Sequence, residues 1–255
     1  MLKSLFSAFL MYSRIPVPQV EWKEENRRYS LCFFPLIGTV IGLLFVLWNC
    51  IALKFGFGKL FTGAVSMLIS YAVTGGIHLD GFCDVSDAVS SYGNKEKRLE
   101  IMKDSHVGAF AVIKLAVCLI VQTAVYSEIC SIRTAIAVAV GFMLSRSLSG
   151  IGAVCFKSAK NDGALQSFVK PSHKTITLVC LFITVILSCM AMLVSDFITG
   201  AVSAVSAFAV FVYYRISAYK RFGGVTGDVA GWFLVLCETV IAFTAVVSDK
   251  ITGVL

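Results

Sequence analysis

Charge is scarce in this chain. Asp, Glu, Lys and Arg make up 15% of its 255 residues, against 58% that are hydrophobic, whereas a soluble domain carries about a quarter charged. That shortage excludes an ordinary water-soluble globule. Paired cysteines are missing as well. Nine cysteines occur, at positions 32, 50, 83, 118, 130, 155, 180, 189 and 237, but none forms a C-x-x-C pair and most lie inside apolar runs. A zinc site or a disulfide framework is therefore not expected, and the thiols read as small buried hydrophobes. A cleavable leader is not expected either, since the apolar patch Leu5–Met11 runs into Arg14 and Pro16 with no small-residue cleavage site. It reads as a half-buried interfacial segment. There is no convincing internal repeat and no separate soluble segment, so residues 1–255 are expected to form one domain. The net charge of +7 is no sign of nucleic-acid binding, because a membrane protein becomes basic by keeping Lys and Arg in its cytoplasmic loops.

What is present is apolar length. Seven segments stand out: about Leu31–Leu53, Leu60–Ile77, Val107–Ser127, Thr134–Phe156, Thr175–Ser195, Phe197–Tyr214 and Val229–Ser248. About 20 apolar residues in a helix cover roughly 30 Å of hydrocarbon. The expected fold is thus all-α, a polytopic integral membrane bundle of about seven transmembrane helices. Phe197–Tyr214 is short, and only Asp196 separates it from its predecessor, which predicts a tight hairpin. The connections sort by charge: sixteen Lys and Arg fall in the N-terminal stretch and in 78–106, 157–174 and 215–228, against Lys54, Lys59, Arg133 and Lys250 on the other side. This predicts a cytoplasmic N-terminus and an external C-terminus. Lys114 and Arg146 fall inside spans.

The polar motifs gather on the expected cytoplasmic side, where a transporter would be expected to keep them near the midplane. The densest is Gly75-Gly-Ile-His-Leu-Asp-Gly-Phe-Cys-Asp-Val-Ser-Asp87. In a helix, Asp80, Asp84 and Asp87 fall at i, i+4 and i+7 on one face. Like charges at that spacing repel unless a hard cation such as Mg²⁺ bridges them through oxygen. His78 suits a substrate phosphate, a proton relay or an interfacial cap. In Arg98-Leu-Glu-Ile-Met-Lys-Asp-Ser-His-Val-Gly-Ala-Phe110, the basic Arg98 and Lys103, with Lys114 beyond, suit a polyphosphate, and Glu100 and Asp104 could complete a metal shell. The alternative is that Asp104 or Ser105 caps the third span, though a cap does not explain the density of both signs. In Arg221-Phe-Gly-Gly-Val-Thr-Gly-Asp228, a tight turn before the last span brings Thr226 and Asp228 to a helix N-terminus, which favours anions and also needs a cap. Arg146 is costly in lipid and needs a carboxylate or a phosphate; Glu238 should face the bundle interior. Gly38-x-x-x-Gly42 and Gly141-x-x-x-Ser145-x-x-x-Ser149 read as helix-packing faces. They permit a homo-oligomer without specifying one.

Together with Phe34-Pro-Leu-Ile-Gly38, these motifs resemble in order the signatures of the cobalamin synthase family, the adenosylcobinamide-GDP ribazoletransferases of late vitamin B12 assembly. The likeness spans nearly the whole chain. Cys83, Val85 and Ala88 depart from the family pattern, and no carboxylate is lost. The resemblance implies a Mg²⁺-dependent enzyme of the bacterial cytoplasmic membrane or archaeal cell membrane, with its site facing the cytoplasm. It would join adenosylcobinamide-GDP to α-ribazole or α-ribazole 5′-phosphate and release GMP. On that reading Asp80, Asp84, Asp87, Asp104 and Asp228 are the metal candidates, and Asp84, Asp87, Asp104 and His78 the catalytic ones. Arg98, Lys103, Arg146 and Thr226 are the substrate contacts. The alternatives are a CDP-alcohol phosphotransferase, whose Asp-x-x-Asp-Gly and Ala-Arg pattern does not match here, and a membrane transporter.

Overall fold

The computed structural model describes residues 1–104, 106–159 and 163–253. Ser105 and Lys160, which entered the capping and charge-sorting arguments, lie outside them. The chain is helical almost throughout: α1 (Leu2–Tyr12), α2 (Glu24–Arg27), a 3₁₀ turn at Ser30–Phe33, α3 (Phe34–Phe55), α4 (Lys59–Thr74), α5 (Ile77–Ser90), α6 (Lys95–Ile101), α7 (Ala109–Ser127), α8 (Ile132–Cys155), α9 (Ala164–Val169), α10 (Lys174–Ser195), α11 (Phe197–Phe222) and α12 (Gly227–Thr252). Among the described residues, six helical segments are long and apolar enough to cross a membrane, and α4 and α5, bent by 96° at their junction, make a seventh when counted as one span. The predicted segments recur as α3, α4, α7, α8, α10, α11 and α12.

The segment read as short does not end at Tyr214. Helix α11 runs on to Phe222 through Arg215, Lys220 and Arg221, because hydropathy falls where a helix leaves the apolar layer, not where it stops. Asp196 alone joins α10 to α11 and caps α11 by accepting the Thr199 amide at 2.8 Å. Helix α1 has 11 residues, about 16 Å at 1.5 Å each, and lies half-buried as its composition implied.

Two helices form the centre. The apolar stretch of α8 is 78% buried and that of α12 is 72%, against 22% for α7 and 28% for α10. Large apolar side chains on the outer helices stay exposed, among them Leu43 and Leu47 on α3, Ile113 and Ile120 on α7, and Phe182 and Ile186 on α10. Such a belt suits lipid, not water. Small residues set the closest helix contacts. A Cβ on Gly42 would meet the Ala139 carbonyl at 2.6 Å, and one on Gly38 would come closer still to the Phe142 backbone, so this pair clamps α3 onto α8. Gly141 faces Ile241 of α12, and Ser145 bonds Glu238. Both small-residue faces are thus used inside the chain.

The connections gather at two ends. At one end, Arg14 donates its amide to Val73, His173 stacks on Tyr29, and Val225 pairs with Lys157 and Ala159. At the other, Lys250 pairs with Glu128 and Trp48 donates to Thr62. This partition matches the charge sorting of the connections.

Candidate active site

Helix α4 stops at two glycines in left-handed backbone, Gly75 at φ 65° and Gly76 at φ 79°. Any other residue is strained there. The chain turns and restarts as α5, across the end of the bundle, so the acidic motif is helical as predicted. The first half of α5 lies directly on the N-terminus of α12. A Cβ on Gly81 would fall 2.7 Å from the Asp228 carbonyl oxygen, and one on Gly231 would fall 3.3 Å from the His78 backbone. This glycine-to-backbone crossing brings Asp80 and Asp228 to one cavity, with Asp84 one turn further along α5. Asp80 is exposed, while Asp84, one turn beyond Gly81, and Asp228 are half-buried. The charges of Asp80, Asp84 and Asp87 all bear on Cys83 between them.

Asp80 and Asp228 border a cavity of about 110 Å³ whose wall includes Tyr12, Phe34, His78 and Ala153. His78 is 8% exposed, and its Nε2 has no hydrogen-bond partner among the described residues. Phe34 stands edge-on to it at 6.1 Å. Asp80 also borders a second cleft, lined by Arg14, Thr74 and Cys83. Arg14 drapes its side chain over Gly75. Nothing in the spacing of the sequence marks Arg14, which counted there only as one more basic residue of the N-terminal stretch.

The remaining candidates are placed otherwise. Asp87 is committed to the start of α7: Oδ2 accepts the Gly108 amide at 2.6 Å and Oδ1 the Ala111 amide at 2.7 Å. It therefore caps the third span across the fold, the task the sequence had offered to Asp104 or Ser105. Asp104 turns into its own loop, where its Oδ1 accepts the His106 amide at 3.0 Å and lies 2.7 Å from His106 Nδ1. These contacts hold its carboxyl below the usual range. Glu100 pairs with Lys97 at 3.0 Å, Lys103 is exposed, and Arg98 is half-buried.

Thr226 is buried and caps α12, accepting the Val229 amide at 3.2 Å. Its loop needs two glycines for different reasons. Gly223 ends α11 at φ 78°, and Gly224 presses on the Lys157 carbonyl. Arg146, offered as a phosphate contact, is 1% exposed. Its Nη1 donates to Glu238 Oε1 at 2.7 Å and to the Phe142 carbonyl at 2.9 Å, and Ser145 donates to the same Glu238 oxygen at 3.0 Å. Lys114 reaches the end of α5, donating to the Ser86 carbonyl and Ser90 Oγ.

Among the described residues no three His, Cys, Asp or Glu side chains are arranged to enclose an ion. Mg²⁺ does not require such an enclosure. It commonly takes one or two carboxylates and completes its shell with water and substrate phosphates. The exposed and half-buried carboxylates at the cavity mouth fit that pattern.

A comparison with family profiles matches the cobalamin-5-phosphate synthase family over residues 4–246. The chain belongs to that family. Curated relatives named adenosylcobinamide-GDP ribazoletransferase include one from Lachnoclostridium phytofermentans, 41% identical over 250 residues, covering 98% of this chain and 95% of the relative. One from a Geobacillus species is 34% identical over 248 residues, covering 93% and 94%. One from Clostridium perfringens is 31% identical over 245 residues, covering 92% and 94%. No solved structure matches the chain. Family membership at this coverage goes against the CDP-alcohol phosphotransferase and transporter readings, and it fits the order of motifs in the sequence.

Proposed function

We propose that this chain is an adenosylcobinamide-GDP ribazoletransferase of the cytoplasmic membrane. Its acceptor is α-ribazole or α-ribazole 5′-phosphate, and its reaction takes place where α5 crosses α12. The observation that carries this reading is the contact of Gly81 with Asp228. It joins two motifs nearly 150 positions apart at the mouth of one cavity, next to relatives named for this activity. The sorting of basic connections to the same end supports a cytoplasmic site.

In the proposed reaction an acceptor hydroxyl oxygen bonds to the phosphorus that carries cobinamide. The P–O bond to the guanylate phosphate breaks, and the hydroxyl proton passes to a carboxylate at the mouth. Asp80, Asp84 and Asp228 would hold Mg²⁺. When bound, the ion neutralises the diphosphate and the departing oxygen. Arg14, which lines the second cleft together with Asp80, adds positive charge for the same phosphates, with Arg98 and Lys103 as further candidates. Asp87 supports the site by fixing α7 to α5. Arg146 and Glu238 brace α8 against α12 behind His78.

The test is a purified sample in lipid nanodiscs with adenosylcobinamide-GDP, α-ribazole and Mg²⁺. GMP and a cobamide should appear in equal amounts, and chelation of Mg²⁺ should stop both. Asp84→Asn should lower turnover at least about 100-fold, the scale of losing one transition-state contact, while the protein still inserts. Absence of both products from the wild type would overturn the assignment.

A further inference from the structure

Helix α5 has a second working face. Phe82, Val85, Ser86 and Val89, at i, i+3, i+4 and i+7, lie opposite the face that carries Asp80, Asp84 and Asp87. They form one wall of a cleft of about 410 Å³, separate from the two that Asp80 borders. The cleft lies between α7 and α11, which both pack on α12. Val117, Val121 and Tyr213 are exposed along it, so it opens sideways onto the apolar belt of the bundle. Tyr213 and Trp232 stand together there, ring centroids 5.8 Å apart, and these residue types favour a membrane interface. The charged residues of the cleft are Lys114, in the second turn of α7, and Arg221, in the last turn of α11. Both belong to the end where the basic connections gather. No carboxylate lines the cleft, and neither cation forms an ion pair among the described residues. Lys114 donates to the Ser86 carbonyl at 3.2 Å and to Ser90 Oγ at 2.8 Å, which leaves the third proton of its ammonium for another acceptor.

We infer that this cleft seats an anionic phospholipid from the leaflet at the basic end, its phosphate held by Lys114 and Arg221 and an acyl chain lying along Val85, Val117 and Leu236. Charge complementarity selects the occupant. Two cations without a carboxylate attract a net negative headgroup, whereas a zwitterionic lipid brings its own ammonium against them. A soluble phosphate ester would meet the cations but leave the apolar walls uncovered. Basic pockets between transmembrane helices are where anionic headgroups bind, and the stems of Lys114 and Arg221 let their charges reach headgroup level. The lipid then backs α5 from the side opposite its carboxylates. The inference goes beyond the ribazoletransferase reading and does not depend on it.

The test is fluorescence quenching of the full-length protein in nanodiscs, which needs no turnover. With Trp22→Phe and Trp48→Phe, Trp232 is the one tryptophan left. In that background, phosphatidylglycerol brominated on its acyl chains should quench Trp232 at a mole fraction at least about fivefold lower than brominated phosphatidylcholine, the scale of one basic side chain at an anionic headgroup. Lys114→Gln with Arg221→Gln should remove that preference. Val117→Phe, which narrows the cleft and changes no charge, should remove it too, so the outcome does not hang on whether one variant folds. Arg215→Gln with Lys220→Gln takes the same charge from α11 outside the cleft and should keep the preference. Equal quenching by the two lipids in the parent protein would overturn the inference, as would a preference that survives both Lys114→Gln with Arg221→Gln and Val117→Phe. Loss of the preference in the Arg215 and Lys220 variant would mean general surface charge, and relief of quenching by excess glycerol phosphate would mean a soluble anion; either also overturns it.

Discussion

The Asp87 carboxylate accepts the Gly108 amide at 2.6 Å from a residue 21 positions away. This bond, with its companion to Ala111, ties the acidic helix α5 to the start of α7 and gives α7 a cap that its own sequence does not provide. A carboxylate at a helix N-terminus is favoured both by the free amides and by the helix dipole.

Replacement of Asp87 by Ala should therefore destabilise the protein by about 1–2 kcal/mol, the usual cost of losing such a cap. It should also raise hydrogen exchange at the Gly108 and Ala111 amides specifically. Gly108→Ala should reproduce the effect by a different route, since its Cβ would fall 2.6 Å from Asp87 Oδ1. Unchanged exchange at those two amides in both variants would remove Asp87 from this structural role.

Gly81→Ala should abolish most activity without altering a polar group. The added Cβ would fall 2.7 Å from the Asp228 carbonyl oxygen, and α5 and α12 must separate to admit it. A displacement of about 1 Å can cost roughly 100-fold in rate, so GMP release should fall on that scale. Gly58→Ala, where nothing lies within 4 Å of a new Cβ, is the matched control and should be close to neutral. Equal rates for the two variants would mean that this crossing does not position the site.

Arg146 and Glu238 are expected to behave as a pair. Removing one partner, as Arg146→Met or Glu238→Leu, leaves a buried uncompensated charge and should cost about 3–5 kcal/mol; replacing both should recover much of that loss. Thermal unfolding in detergent measures the cycle. If the pair is a brace between α8 and α12, the double variant should bind the donor nucleotide as the wild type does. A tenfold or greater loss of donor affinity in the double variant would return Arg146 to the list of phosphate contacts.

Much of the architecture is dictated locally. Hydropathy places the spans because, in lipid, a helix must satisfy every backbone polar group by itself. Charge sorts the connections into two ends, and the period of 3.6 residues puts Asp80, Asp84 and Asp87 on one face. The glycine pair at 75–76 marks a break, though not its angle. Tertiary contact decided how those residues are used. Asp87 looks equivalent to Asp80 in the motif, yet only the fold brings the free amides of α7 to it. Arg146 finds Glu238 from 92 positions away, and Arg14 shares a cleft with Asp80 because the chain after α1 lays the Arg14 side chain over Gly75. Such pairings depend on which helix ends come to lie side by side, a property of packing that no periodicity along the chain encodes.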